Sequence, residues 1–111
     1  MKYFSIIIPI FNEKNNIFNL VDEINNSIPK KEYIYEIIII NDFSKDLNKE
    51  DIFELEKLKN TKLINHDQNW GQSKSIQSGI KFSKFDTIVT IDGDGQNNPN
   101  DISKLLNIYF S

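Results

Sequence analysis

The chain has 111 residues, 39% of them hydrophobic and 26% charged, and a formal net charge of −3. That balance fits one small globular domain rather than a disordered segment, and it excludes a protein that grips nucleic acid through a basic surface. The absence of cysteine removes disulfides, zinc–thiolate centres and thiol catalysis, and the single histidine, His66, cannot build a multi-histidine metal site alone.

The first apolar run, Phe4–Ile10, superficially resembles a signal peptide. It is short, Pro9 interrupts it, and Asn12 and Glu13 follow where small cleavage-site residues would be needed, so it reads as a buried strand. Proline is tolerated at a strand end, where Pro9 stiffens the exit into the first helix. The segment Pro9-Ile10-Phe11-Asn12-Glu13 therefore reads either as a helix start, with Glu13 favouring the helix dipole, or as a ligand loop. Ile17, Leu20, Val21, Ile24 and Ile28 recur at helical spacing until Pro29 stops the helix.

A second strand covers Ile34–Ile40. It ends in Asn41-Asp42-Phe43-Ser44-Lys45-Asp46, short polar side chains that form a capped turn or hydrogen-bond a base or ribose. Ile52, Leu55 and Leu58 mark a second helix, and Lys62–Ile64 with its flanks a third strand. The segment Asn65–Ser73 opens a third helix carrying Ile76 and Ile80. Gly71, Gln72 and Ser73 at its N-terminus suit an anion or a sugar. Trp70 and His66 also fit ordinary packing, and no acid–nucleophile pattern surrounds His66 in the sequence to make it a base.

The fourth strand, Thr87–Ile91, runs into Asp92-Gly93-Asp94-Gly95-Gln96-Asn97-Asn98-Pro99, and Ile102, Leu105, Leu106 and Tyr109 mark a fourth helix with Asp101 near its start. Two acids one residue apart, with glycine freeing the backbone, suit a hard divalent cation, although Asp-Gly is also a common turn. An EF-hand is excluded by Asn97 and Ser103 at loop positions six and twelve. A haloacid-dehalogenase-type site is excluded because its aspartates follow the first strand.

Near-continuous apolar strands alternating with amphipathic helices predict an α/β fold, β-α-β-α-β-α-β-α, doubly wound on a mainly parallel sheet. A strand order of 3-2-1-4 places Glu13 and the Asp92–Gln96 segment beside one crevice at the carboxyl ends of the strands. Asparagine and lysine are abundant while alanine and arginine are absent, a base-composition bias that weakens any single Asn or Lys as a sign of a site. No run of about 18 apolar residues is present to span a bilayer.

Together, Ser5–Glu13, Asn41-Asp42-x-Ser44-x-Asp46, Asn69-x-Gly71-Gln72-Ser73, Ser78-Gly79-Ile80 and Asp92-Gly93-Asp94-Gly95-Gln96-Asn97-x-Pro99 resemble the N-terminal half of family 2 glycosyltransferases. That half is the Rossmann-like, nucleotide-binding part of a GT-A fold, and the likeness is nearest to dolichol-phosphate mannosyltransferases and polyprenyl-phosphate glycosyltransferases. The resemblance implies an inverting transfer from a GDP- or UDP-sugar to an acceptor such as a polyprenyl phosphate. It makes Pro9, Phe11, Glu13, Asn41, Asp42, Gly71, Gln72, Asp92 and Gly93 the nucleotide-sugar contacts. It makes Asp92 and Asp94, assisted by Gln96, the ligands of Mn2+ or Mg2+.

In this sequence Asn41 stands where the family usually has aspartate, Phe43 where glycine is common, and Gln68 where a basic residue is frequent. The resemblance predicts that residues 1–111 are a partial domain, a truncation, a fragment or one piece of a split protein, lacking the acceptor-binding half and its catalytic base. The expected setting is cytoplasmic, at the cytoplasmic face of a membrane where a lipid acceptor lies. The alternative is a non-catalytic nucleotide- or metal-binding α/β module.

Overall fold

The computed structural model describes residues 1–93; the expected fourth helix, and the candidate ligands Asp94 and Gln96, lie outside them. The described elements are β1 (Lys2–Ile10), α1 (Lys14–Ser27), β2 (Tyr33–Asn41), α2 (Lys49–Glu56), β3 (Thr61–Asn65), α3 (Gln72–Phe82) and β4 (Ile88–Thr90). The strands form one parallel sheet in the order β3-β2-β1-β4, as the sequence predicts.

Successive strand residues face opposite sides of a sheet, so a run that is apolar at every position needs cover on both. Phe4, Ile6, Ile8, Ile10, Ile37 and Ile39 share one core with Ile17, Leu20, Val21 and Ile24 of α1 and Leu55 of α2. Ile7, Ile38 and Ile40 form the opposite face, joined by Ile64 and Ile88. The register Ile6↔Ile37, Ile7↔Ile38 and Ile8↔Ile39 keeps the two sets apart across the strands. Each fully buried isoleucine contributes roughly 1.5–3 kcal/mol of apolar burial. A one-residue slip would exchange the two sets between faces, so the register is tightly specified.

The element ends follow local chemistry. Ile28 takes an extended conformation, as a residue before proline must, while its N–H still donates to Ile24 O. Asn48 and Asp51 form a reciprocal capping box at the start of α2. That helix ends at Glu56, earlier than the spacing of Leu58 predicts. Leu58 lies in a tight turn in which its N–H donates to Leu55 O, and it still packs on the core. Regular pairing of β4 covers Ile88–Thr90, shorter than Thr87–Ile91, but Ile91 N–H donates to Ile7 O and Ile91 is buried.

A buried carboxylate fixes the lower end of the sheet. Glu36 Oε2 accepts from Ser5 Oγ at 2.6 Å and from the Lys84 N–H, and Lys62 Nζ lies 3.1 Å from its other oxygen. Burial pushes its pKa up, but Ser5, the Lys84 N–H and Lys62 outweigh that and hold it below the ordinary glutamate value.

Helix α3 lies close to β1 because Gly79 has no side chain. A Cβ there would meet three side-chain carbons of Ile7 at 2.6–2.9 Å, and Ile7 is sealed within the sheet. Gly79→Ala would gain helix propensity of about 1 kcal/mol, yet overpacking of this kind costs about 1–3 kcal/mol. We expect a net loss of stability in urea unfolding, relieved when Ile7→Val is added.

Candidate functional site

The turns at the carboxyl ends of β1 and β2 are knitted together. Asn12, at φ 59, donates its N–H to Ser44 Oγ at 3.0 Å, and its Oδ1 accepts from the Lys45 N–H at 2.8 Å. Asp46 Oδ2 accepts from the Lys14 N–H at 3.1 Å, so the first turn of α1 is capped from the neighbouring loop. Glu13 occupies the N-cap position without capping the helix, and accepts from Asn16 Nδ2 instead. The chain spends Ser44 and Asp46 on holding the β1 exit loop.

Asn41 is buried. Its Oδ1 accepts from the Ser44 N–H and its Nδ2 donates to Asn65 Oδ1, both at 2.9 Å. It does not line the cleft described below, so the structure does not bring it together with the other nucleotide-sugar candidates.

Asp42 is the hub of the site. Its Oδ1 accepts from His66 Nδ1 at 2.7 Å and the Trp70 N–H at 2.9 Å. Its Oδ2 accepts from Asn69 Nδ2 at 3.0 Å and the Gly71 N–H at 2.8 Å. Burial alone would raise its pKa. The bonds from His66, Trp70 and Gly71 outweigh burial and hold the carboxyl below the usual aspartate range. Gly71 reaches Asp42 with φ at +96°, a backbone conformation that disfavours any side chain, and then starts α3.

These loops enclose a cleft of about 430 Å³, within the range of small-molecule sites. Pro9, Ile10, Phe11 and Glu13 line it from the end of β1, Asp92 and Gly93 from the end of β4, and Asn69, Gly71, Gln72 and Ser75 from the start of α3, with Asp42 beside them. Every described nucleotide-sugar candidate except Asn41 is in this lining. The cleft lies where helices leave opposite faces of the sheet, between β1 and β4, the switch point at which open α/β folds bind ligands. Gln72 Nε2 donates to Asp92 Oδ1 at 3.2 Å across it. Among the described residues no three histidine, cysteine, aspartate or glutamate side chains gather into a metal-binding group. Asp92 is the described member of the expected ligand set.

The sequence reading passed over three residues of the site. His66 bridges Asp42 and Ser78, its Nε2 lying 2.8 Å from Ser78 Oγ, although these partners are 24 and 12 residues away in the sequence. Ser75 is fully buried and donates to Gly71 O. Asn69 carried a signal, its place in the Asn-x-Gly-Gln-Ser pattern, but its bond to Asp42 exists only in the fold.

A family model described as Glycosyl transferase family 2 matches residues 5–109. The chain is 31% identical over 108 residues to an undecaprenyl-phosphate 4-deoxy-4-formamido-L-arabinose transferase of Aeromonas hydrophila, a match covering 96% of this chain and 33% of that protein. It spans about a third of the length of the curated relatives it matches. Among solved structures, residues 1–349 of Staphylococcus aureus TarS in complex with UDP align with a TM-score of 0.70 at 22% identity, over 97% of this chain and 32% of that one. Glucosyl-3-phosphoglycerate synthase of Mycobacterium tuberculosis, in complex with Mn2+, UDP and glucosyl-3-phosphoglycerate, aligns with a TM-score of 0.72 at 15% identity, over 99% of this chain and 40% of that one. The architecture is that of the GT-A fold.

Asp42→Asn would place an amide nitrogen against N–H donors and is expected to cost about 3 kcal/mol in denaturant unfolding. Because the folded-state pKa of Asp42 is depressed, its contribution is full above the unfolded aspartate value and fades as pH falls through the folded one. The stability gap between wild type and variant should therefore narrow as pH falls below about 4.

Proposed function

The chain belongs to glycosyl transferase family 2, and from that premise we propose that it binds a nucleotide-diphosphate sugar for inverting transfer of the sugar to an acceptor. The observation that carries this reading is the cleft at the β1/β4 switch point, lined by Pro9, Phe11, Glu13, Gly71, Gln72, Asp92 and Gly93. Phe11 is half exposed at its rim and offers a ring face to a nucleobase. Glu13 and the Asp42 region take the nucleoside end. The N-terminus of α3, with Gly71 and Gln72, faces the diphosphate and sugar, where unbonded helix N–H groups favour negative charge.

A divalent cation, Mn2+ or Mg2+, completes the proposal, held by Asp92 and Asp94 with Gln96 assisting. The described part fits. Asp92 presents a hard oxygen ligand at the cleft, steadied by Gln72. Gly93 packs so tightly that a Cβ would lie 2.6 Å from Ile10 Cγ2, which fixes the strand exit against β1. Such a cation neutralises the charge that gathers on a nucleoside diphosphate as it leaves. The chain's own residues orient the donor and exclude water from one side of it. The likeness to the Aeromonas undecaprenyl-phosphate transferase supports an undecaprenyl or similar polyprenyl phosphate as acceptor. No helix among the described residues is long and apolar enough to cross a membrane.

Calorimetric titration with UDP and GDP, with and without Mn2+, tests the reading. We expect binding that needs the metal and weakens at least about tenfold in Asp92→Ala and in Asp94→Ala, the scale of losing one charge-assisted contact. Nucleotide affinity indifferent to Mn2+ and to both substitutions would overturn it. Sugar transfer from the bound donor to a polyprenyl phosphate would add the acceptor. Metal-dependent binding without transfer would fit both the partial domain expected from the sequence and the non-catalytic module.

A further inference from the structure

We propose that His66 is a positioning residue for the nucleotide-binding cleft: through Asp42 it fixes the Asn69–Gly71 wall. The proposal rests on the nucleotide-binding reading of that cleft. Asp42 accepts from four donors, and three of them, Asn69 Nδ2 and the N–H groups of Trp70 and Gly71, belong to the wall itself. The Asp42 backbone is fixed at the end of β2, its N–H donating to Ile10 O at 2.9 Å, so what these three bonds leave to the loop alone is the orientation of the carboxylate. The fourth donor, His66 Nδ1, ties the carboxylate to the end of β3. The His66 backbone is itself anchored there, its N–H donating to Asn41 O at 2.9 Å.

The other ring nitrogen completes the brace. An ionised carboxylate only accepts, so Nδ1 donates to Asp42, and Nε2 lies within hydrogen-bond distance of the Ser78 hydroxyl, at 2.8 Å. Ser78 precedes Gly79, the point at which α3 is pressed onto Ile7 of β1. The imidazole thus spans two fixed posts, the β2/β3 strand ends and α3, and holds Asp42 between them. The His66 and Asp42 side chains are 10% and 5% exposed, so water competes little for these bonds.

The Asp42–His66–Ser78 order matches that of a hydrolytic triad. Ser78 lies inside α3, however, where neighbouring backbone N–H groups are committed to the helix and cannot form an oxyanion hole. It also does not line the cleft. The arrangement fits a brace, not a nucleophile.

The two amide replacements of His66 separate its two ends. Asparagine reproduces the Nδ1 donor, whereas glutamine reaches toward the Nε2 position and loses the bond to Asp42. We would measure amide hydrogen exchange at Trp70 and Gly71, and UDP affinity with Mn2+, for His66→Asn, His66→Gln and Ser78→Ala. His66→Gln should speed exchange at both amides and weaken UDP by about tenfold, the scale of one charge-assisted hydrogen bond. His66→Asn should stay within about threefold of wild type for both, and Ser78→Ala should fall between. Equal effects of the two amide variants, or unchanged exchange in His66→Gln, would overturn the proposal. So would ester hydrolysis that depends on Ser78. If His66→Gln fails to fold by circular dichroism, Ser78→Ala decides: faster exchange at Trp70 and Gly71 supports the brace and unchanged exchange refutes it. A wild type that binds no UDP while the exchange pattern holds would remove the nucleotide reading and leave the brace standing.

Discussion

The architecture of the cleft depends on one buried carboxylate. Asp42 leaves β2 at the centre of the sheet, and its two oxygens gather a side chain from the end of β3 and three donors from the approach to α3. A buried carboxylate without partners would be costly enough to take up a proton. With four donors it stays ionised, and the same bonds that satisfy it fold the Asn69–Gly71 loop into the cleft wall. The electrostatic need of the aspartate and the shape of the site are met by one set of contacts.

The β1 exit loop obeys the same logic with neutral groups. Loops at strand ends expose backbone N–H groups that need partners. Here Asn12 and Ser44 satisfy each other's turns, and Asp46 supplies the cap that Glu13 does not. Glu13 can therefore line the cleft. The polar residues after β2 thus support the cleft-lining ones after β1, and the pattern Asn-Asp-x-Ser-x-Asp is largely a fastening between loops.

The fold was legible because its signals are local. The consecutive isoleucines Ile6–Ile8 of β1 and Ile37–Ile40 of β2 require cover on two faces, and helical spacing of Ile17, Leu20, Val21 and Ile24 supplies one cover. Strand order came from topology rules and from the placing of polar residues at strand ends. The cleft lining was legible through Pro9, Phe11, Glu13, Gly71, Gln72, Asp92 and Gly93, all next to strand or helix ends. His66 was not, since neither partner is near it in the chain and a lone histidine before a helix has no pattern of its own. The end of α2 was misjudged because Leu58 is apolar at the right spacing but packs on the core from a turn.

Asn41 shows why a family pattern does not translate residue by residue. Where aspartate is usual, this chain needs a group that accepts on one side and donates on the other, because the Ser44 N–H faces its oxygen and the Asn65 carbonyl oxygen faces its nitrogen. An ionised aspartate would meet Ser44 equally well but would require the Asn65 amide to turn over and present its NH2. With Asn65 presenting its oxygen, an asparagine at position 41 pairs on both sides. Among the described residues no buried side-chain nitrogen or oxygen lacks a partner, and Asn41 achieves this while turned away from the cleft. Asn41 does not line the cleft, so the absence of a charge there leaves the acidic groups that do, Glu13, Asp42 and Asp92, in place.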